Sequence, residues 1–309
     1  MITTPQWAAI LAGGDGVRLQ ALTTSVTGDR RPKQYCRLLG SQTLLAETRD
    51  RLARVVPPEQ TVFVVSRAHE RFYTEELAQT GPDRILSQPV NRGTLAAVAF
   101  TLARLRAAGV DGVVGFFPCD HYYRDTERFS HVVSMAYWQA QRRPGQVILV
   151  GAEATDPETD YGWIEPGVVL PNQQRAVGCR WTMRAVERFV EKPTASTAQT
   201  LLERGCVWNT LVVIGHIDAL DALVASARPD MMQAFAQVAA AGSAETALAH
   251  IYRTLRPGDF SSDALAAAPE RLTVMTVPDL GWTDLGRPER VADVLAERHH
   301  VLVEQHMVV

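Results

Sequence analysis

Three glycines, Gly13, Gly14 and Gly16, follow directly on the apolar run 8–11, and Arg18 and Lys33 come soon after. Glycine has no Cβ and tolerates positive φ, so such a turn lets the backbone approach a ligand closely. Successive N–H groups there can form an anion-binding concavity. With two cations in reach, the stretch suits a triphosphate. The other reading is a tight strand-to-helix turn with solvated Arg and Lys. Asp120 closes the apolar run 112–117, and Asp284 sits far away in GWTDLG, 281–286. A carboxylate at a strand end can hold Mg²⁺, which takes oxygen ligands and shares them with phosphate; it can equally cap a turn or helix. Lys192 stands immediately before Pro193. An ammonium held at a strand end can bind phosphate as a point charge, and a solvated turn lysine is the plain alternative.

Other chemistries find no support. The P-loop string GxxxxGK[ST] is absent, and the dinucleotide fingerprint GxGxxG would need glycine where Leu19 stands. There is no GxSxG, and Cys36, Cys119, Cys179 and Cys206 are widely separated with no CxxC pair. That pattern excludes a zinc knuckle and fits a reducing cytoplasm. His121 has no nucleophile beside it and reads as structural; His299 and His300 read as solvated. A net charge of −3 leaves no electrostatic footprint for nucleic acid. No apolar run reaches membrane-spanning length, and the N-terminus lacks the marks of a secretory signal.

The elements that must position these residues alternate. Strands are expected at 61–65, 84–86, 112–117 and 147–151, and helices at 43–55, 69–79, 94–107 and 127–141. Between Arg18 and Lys33 the sequence is polar and reads as disorder-prone. The alternation argues for a parallel sheet with crossover helices, whose ligands lie at the carboxyl ends of the strands. The second half reads as strands at 161–165, 183–191 and 211–215, with a helix at 194–204. Helices at 217–227, 231–241 and 245–255 follow, their Ala and Leu faces reading as core, with a dimer contact as the alternative. A last strand, 272–277, leads to GWTDLG, and a helix at 288–298 precedes a tail that reads as a short strand. One domain over 1–309 is expected, with a small helical C-terminal part at about 286–309.

LAGGDGVRL joined to RRPKQYCRL resembles the signature of sugar-nucleotide pyrophosphorylases, and within them most of all the mannose-1-phosphate guanylyltransferases. FVVSRAHERF, QPVNRGTLAAV, FFPCDHYY, PETDYGWIEPG, RFVEKP, CVWNTLVVIG and GWTDLG continue the likeness in order over most of the chain. The resemblance implies an α/β fold, a Rossmann-like mixed, mainly parallel sheet flanked by helices, of nucleotidyltransferase or GT-A-like type. It implies that Asp120 and Asp284 hold Mg²⁺, the one cofactor expected. It implies that Leu11, Ala12, Gly13, Gly14, Gln88, Arg92, Gly93 and Thr94 line the nucleotide. Tyr161, Gly162, Glu191, Lys192 and Asn209 would line the sugar phosphate, with Trp208 as packing.

Two departures bear on this. The family block Glu-Pro-x-x-Arg-Asn-Thr-Ala-Pro reads here Gln88-Pro-Val-Asn-Arg92-Gly93-Thr94-Leu-Ala, which opens the choice of base. Val17 replaces the family's Thr or Ser and removes a phosphate contact. The chain is also expected to lack the fused isomerase domain of bifunctional relatives. The expected reaction joins GTP and mannose 1-phosphate to give GDP-mannose and pyrophosphate. Arg18 and Lys33 would neutralise the triphosphate, and Lys192 would place the nucleophile. Another NTP and hexose 1-phosphate pair, or a non-catalytic sugar-nucleotide sensor on the same fold, stays open. The partners expected are thus an NTP and a sugar 1-phosphate in the cytoplasm, with a homodimer as a further option.

Overall fold

The computed structural model describes residues 4–171, 180–240 and 245–307, with side chains described as far as His299. The strand β1 (Gln6–Ala12) is buried on both faces: Ala8, Ile10 and Ala12 enter one core layer and Ala9 the other. That two-faced burial is what a central strand of a helix-covered sheet requires. The chain continues through α1 (Gln20–Thr27) and α2 (Leu44–Leu52), then β2 (Thr61–Ser66), α3 (Glu70–Tyr73) and β3 (Ile85–Gln88). Next come α4 (Thr94–Ala107), β4 (Val113–Pro118), the two-residue β5 (Tyr122–Tyr123), α5 (Thr126–Arg142) and β6 (Val147–Glu153). The second half holds β7 (Gly162–Val169), β8 (Thr182–Glu191), α6 (Ala195–Glu203) and β9 (Val207–His216). Three helices, α7 (Ile217–Ala227), α8 (Pro229–Ala240) and α9 (Glu245–Thr254), precede β10 (Leu272–Val277), β11 (Trp282–Thr283) and α10 (Pro288–Met307).

Among the described residues, nine strands form one sheet in the order β3-β2-β1-β4-β9-β6-β10-β8-β7, and β7 also pairs with β9. The pairs β2–β3, β1–β2 and β1–β4 are parallel. β9 runs antiparallel between β4 and β6, and β7 and β8 are antiparallel as well. Because β1 and β4 are parallel, with Leu11 opposite Pro118, Gly13 and Asp120 emerge from the same edge. The faces of α7, α8 and α9 are core, as their composition suggests: Leu220, Leu223, Met231, Phe235, Leu248 and Tyr252 pack into one layer with α4.

Several expectations need correction. The segment after Arg18 is not disordered but carries α1, which ends where Gly28 adopts φ 78 and donates to the Thr24 carbonyl. Its anchor is remote: Leu19 and Leu22 pack with Leu285, Val291 and Val294. The expected helix 69–79 is α-helical only over Glu70–Tyr73, since Ala78 and Thr80 bond three residues back and Gly81-Pro82 follows. The tail is no strand; α10 runs on through it to Met307. A helix satisfies its backbone groups internally, whereas a strand there would need a partner. Cys36, Cys119 and Cys206 are free and buried, and Cys179 lies outside the described residues. Among the described residues no helix is long and apolar enough to cross a membrane.

Candidate active site

The glycine loop is built by its neighbours. A Cβ on Gly13 would stand 2.6 Å from Nε2 of Gln88, so that side chain would have to shift. Gly16 sits at φ 61 at the entry to a 3₁₀ turn, where a side chain would be strained. A Cβ on Gly14 would meet nothing within 4 Å, so this residue faces open space. Two residues not singled out from the sequence hold the loop. Gln34 Nε2 donates to the carbonyls of Ala12 at 3.0 Å and Gly14 at 2.7 Å, and the Tyr35 hydroxyl donates to Ala12 at 2.9 Å. Both belong to the string that follows Lys33, which was their only signal. On the outer side Asp15 meets His69 Nε2 at 3.2 Å and accepts from Asn91 Nδ2 at 2.9 Å.

Asp120 and Asp284 come together here, 164 residues apart in sequence. β5 and β11 form a short antiparallel ribbon, Trp282 opposite Tyr123 and Thr283 opposite Tyr122, which lays the two segments side by side. Lys33 sits between them, buried, with Nζ 3.3 Å from Asp120 Oδ2 and donating to the Asp284 carbonyl at 2.6 Å and the Leu285 carbonyl at 3.2 Å. His121 is positioned by Trp282, whose Nε1 donates to His121 Nδ1 at 3.1 Å; its Nε2 lies 3.8 Å from Asp120 Oδ1. Burial pushes the His121 imidazole down to about 4, against the pull of Asp120 and Asp284. His121 is therefore neutral near pH 7 and acts as a structural neighbour of the carboxylate.

Asp284 is nearly buried, at 8% exposure. Burial opposes its ionisation, but His121 once protonated in acid, Lys33, Arg290 and the Gly286 N–H outweigh it and hold the carboxyl below its usual range. Arg290, in α10, was not singled out from the sequence. Its Nη1 donates to Asp284 Oδ1 at 2.5 Å, its Nη2 lies 2.7 Å from Glu158 Oε2, and its guanidinium stacks 4.3 Å over Tyr161. Arg18 is exposed and spans Asp284 at 3.5 Å and Asp160 at 3.8 Å, weak contacts that a phosphate could displace. Asp160 is also bound by Arg287 at 2.5 Å. The two carboxylates offer an oxygen-only donor set, and the Gly loop and Arg18 beside them leave the remaining positions to phosphate and water. This composition fits Mg²⁺, which asks for one or two carboxylates and keeps several waters.

The expected sugar-side residues form a second wall. Gly162 packs so closely that a Cβ would meet Glu191 Oε2 at 2.6 Å and Asn209 Cβ at 3.3 Å, which brings Tyr161, Gly162, Glu191 and Asn209 together. Burial raises the Glu191 carboxyl, an effect that Lys192 opposes from 3.3 Å. Lys192 has φ 45 and donates its N–H to the Tyr161 carbonyl at 3.1 Å. Leu211, whose N–H is held by Asn209 Oδ1, and Leu285, which follows Asp284, are also left-handed, at φ 56 and 49. Such non-glycine strain costs on the order of 1–3 kcal/mol each and gathers at functional sites. Among the described residues, three of the four non-glycine residues with positive φ flank this wall or the carboxylates. Trp208 is buried and packs edge-on to Tyr161 at 5.2 Å.

The block expected on the nucleotide side is braced from behind by residues 252–260. Arg92 Nε donates to the Tyr252 carbonyl at 2.6 Å and Nη2 to that of Arg253 at 3.3 Å. Gly93, at φ 87, packs on the Gly258 carbonyl, and Leu95 N–H donates to that same oxygen at 3.1 Å. The Thr94 hydroxyl accepts from Phe260 N–H at 2.8 Å. The side chains of Arg92 and Thr94 thus serve the wall's own backbone. A separate cluster, Asp111, His216 and Asp218, lies at the opposite end of β4, where Arg106 already pairs with Asp218.

Comparison with known proteins agrees with this architecture. Residues 7–300 match the family described as Nucleotidyl transferase. The xanthan biosynthesis protein XanB of Xanthomonas campestris pv. campestris is 30% identical over 290 residues, 92% of this chain and 58% of that protein. A mannose-1-phosphate guanylyltransferase of Sinorhizobium fredii is 30% identical over 289 residues, 90% of this chain and 52% of its own length. The chain thus spans little more than half of these relatives. The crystal structure of mannose-1-phosphate geranyltransferase from Thermus thermophilus is similar with TM-score 0.77 and 30% identity, over 91% of this chain and 76% of that one. UDP-glucose pyrophosphorylase complexed with UDP-glucose shares the fold at TM-score 0.58 and 12% identity, over 96% and 99% of the two chains. The chain belongs to the nucleotidyl transferase family.

Proposed function

We propose that this chain transfers a guanylyl group from GTP to mannose 1-phosphate, giving GDP-mannose and pyrophosphate. The observation that carries the reading is the convergence of Asp120, Asp284 and Lys33 beside the glycine loop, with Arg18 loosely held at its mouth. A guanylyltransferase among its relatives supports the substrate pair.

A phosphate oxygen of the sugar 1-phosphate forms the new bond to the α-phosphorus, and the bond to the departing pyrophosphate breaks. The attacking phosphate is ionised near neutral pH, so the chain needs no general base. Its task is positioning and charge neutralisation. Lys192, set by its strained backbone, orients the sugar phosphate; Glu191 and Asn209 address hydroxyls. Arg18 exchanges its carboxylate contacts for the triphosphate. Lys33, already among Asp120 and two carbonyls, offers its charge at the floor of the cleft. Asp120 and Asp284 would hold Mg²⁺, which when bound supplies further neutralisation of the reacting phosphates.

Pyrophosphate release across a panel of NTP and sugar 1-phosphate pairs tests this. GTP with mannose 1-phosphate should turn over best. Failure of every pair, with nucleotide sugars still binding, would leave a sensor; turnover confined to another pair would replace the substrates.

A further inference from the structure

Gln88 stands at the carboxyl end of β3, against Gly13, and is buried at 3% exposure. The Tyr252 hydroxyl, from α9, donates to its Oε1 at 3.2 Å. Tyr252 is itself fully buried, with Phe235 at 5.4 Å and Phe100 at 6.0 Å around its ring. Its hydroxyl has Gln88 as its one acceptor among the described residues. Burial pushes the phenol far up, so it keeps its proton. Turning the amide over would point the Gln88 NH₂ at a hydroxyl that must donate, and a buried donor left unmatched costs more than an ordinary bond gains. Tyr252 therefore fixes which end of the amide looks outward. Nε2 donates to no acceptor among the described residues, yet it is not sealed from solvent. It is an available donor beside the glycine loop.

We propose that Tyr252 is a specificity-positioning residue, which holds the Gln88 amide with its NH₂ toward the nucleotide and so selects bases that present a carbonyl oxygen there. This rests on the reading that Gln88 lies beside the base. Guanine offers O6 and uracil or thymine O4 to such a donor; adenine and cytosine offer an exocyclic amino group at the corresponding place. An amino group facing the NH₂ leaves two donors opposed, and a site built to hydrogen-bond one group rejects the analogue lacking it. Hypoxanthine keeps O6 and lacks only the 2-amino group, so it separates the two edges of guanine.

The test is direct binding of GTP, ITP, UTP, dTTP, ATP and CTP to the whole chain by calorimetry with Mg²⁺, in parent and Tyr252→Phe. The expectation is that the parent binds GTP and ITP within a few-fold of each other. ATP and CTP should each bind about tenfold or more weakly than the oxo nucleotide of the same ring type. Tyr252→Phe frees the amide to turn and should shrink those ratios by about fivefold, leaving mannose 1-phosphate affinity unchanged. ATP bound as tightly as GTP, ITP bound far more weakly than GTP, or ratios unmoved in the variant would overturn the proposal. Binding is read without turnover. An oxo preference in a chain that turns over no pair therefore keeps this inference and discards the transferase reading. Turnover of GTP without the preference does the reverse. The parent measurements stand alone if the variant fails to fold.

Discussion

The indole Nε1 of Trp282 donates to Nδ1 of His121 at 3.1 Å, and these two residues stand in the segments that carry Asp284 and Asp120. The bond reinforces the β5–β11 ribbon at the point where the two carboxylates converge. It also fixes the imidazole tautomer with its proton on Nε2, toward Asp120. Trp282→Phe keeps a ring in the cluster with Tyr161 and Trp208 but removes the donor. The expected outcome is a loss of about 1 kcal/mol in stability and a mixed His121 tautomer. Nitrogen-15 shifts of the imidazole read the second effect directly, and an unchanged Nε2–H tautomer would contradict this role.

Asp120→Asn and Asp284→Asn should both remove most activity while the fold persists, since each substitution is nearly isosteric and deletes a charge. Their stabilities should differ. Asp284 is nearly buried against Arg290, whereas the Asp120 side chain is 27% exposed. Losing Asp284 leaves a poorly exposed guanidinium short of one partner, so its melting point should fall further. Turnover across a Mg²⁺ titration, paired with a thermal melt, checks both statements; near-normal turnover at limiting Mg²⁺ in both variants would remove the metal assignment.

Lys192→Ala should weaken use of the sugar 1-phosphate far more than NTP binding. A hydrogen bond to a charged group contributes about 1.5–3 kcal/mol, which corresponds to roughly one to two orders of magnitude in kcat/KM. The side chain is 58% exposed, and solvent screening favours the lower end. Separate KM values for the two substrates decide it, and a loss confined to NTP would reassign Lys192 to the nucleotide.

Gly93→Ala and Gly109→Ala form a controlled pair. Both residues have positive φ, 87 and 77, but a Cβ on Gly109 meets nothing within 4 Å, whereas one on Gly93 runs into the Gly258 carbonyl. Gly109→Ala should cost about 1–2 kcal/mol from backbone strain alone. Gly93→Ala should cost more and weaken nucleotide binding, because the block from Gln88 to Leu95 must shift off its brace. Urea denaturation of both variants gives the comparison, and equal losses would deny the close contact.

His69 supplies a pH dependence. Burial lowers its folded pKa below the ordinary 6.5, although Asp15 pulls the other way. At pH 8 the imidazole is neutral in both states and contributes no slope. As pH falls through about 6.5 the unfolded chain takes up a proton that the folded chain resists, so stability declines until the lower folded value is passed. His69→Gln should flatten that part of the profile. Denaturation midpoints between pH 8 and 5.5 measure it, and identical slopes in the two proteins would exclude His69 as the source.

Much of the site was legible in the sequence because it consists of short strings whose local geometry is self-contained. The glycine turn after β1, the acid at the end of β4 and Lys192 before Pro193 each need only a strand and the residue that stops it. Ala- and Leu-rich composition likewise marked α4 and α7, and the run 272–277 marked β10, at their observed bounds. The tertiary structure alone decided what lies between distant segments. Arg290 looks like any surface arginine until Asp284, Glu158 and Tyr161 close around it. The segment after Arg18 looks disordered until Leu285, Val291 and Val294 cover Leu19. Gln88 reads as a bare substitution until Tyr252, 164 positions on, donates to its carbonyl oxygen. Local propensity depends on neighbours in the chain, whereas burial and the matching of buried donors to acceptors depend on neighbours in space, and those exist only once the sheet has brought its strand ends together.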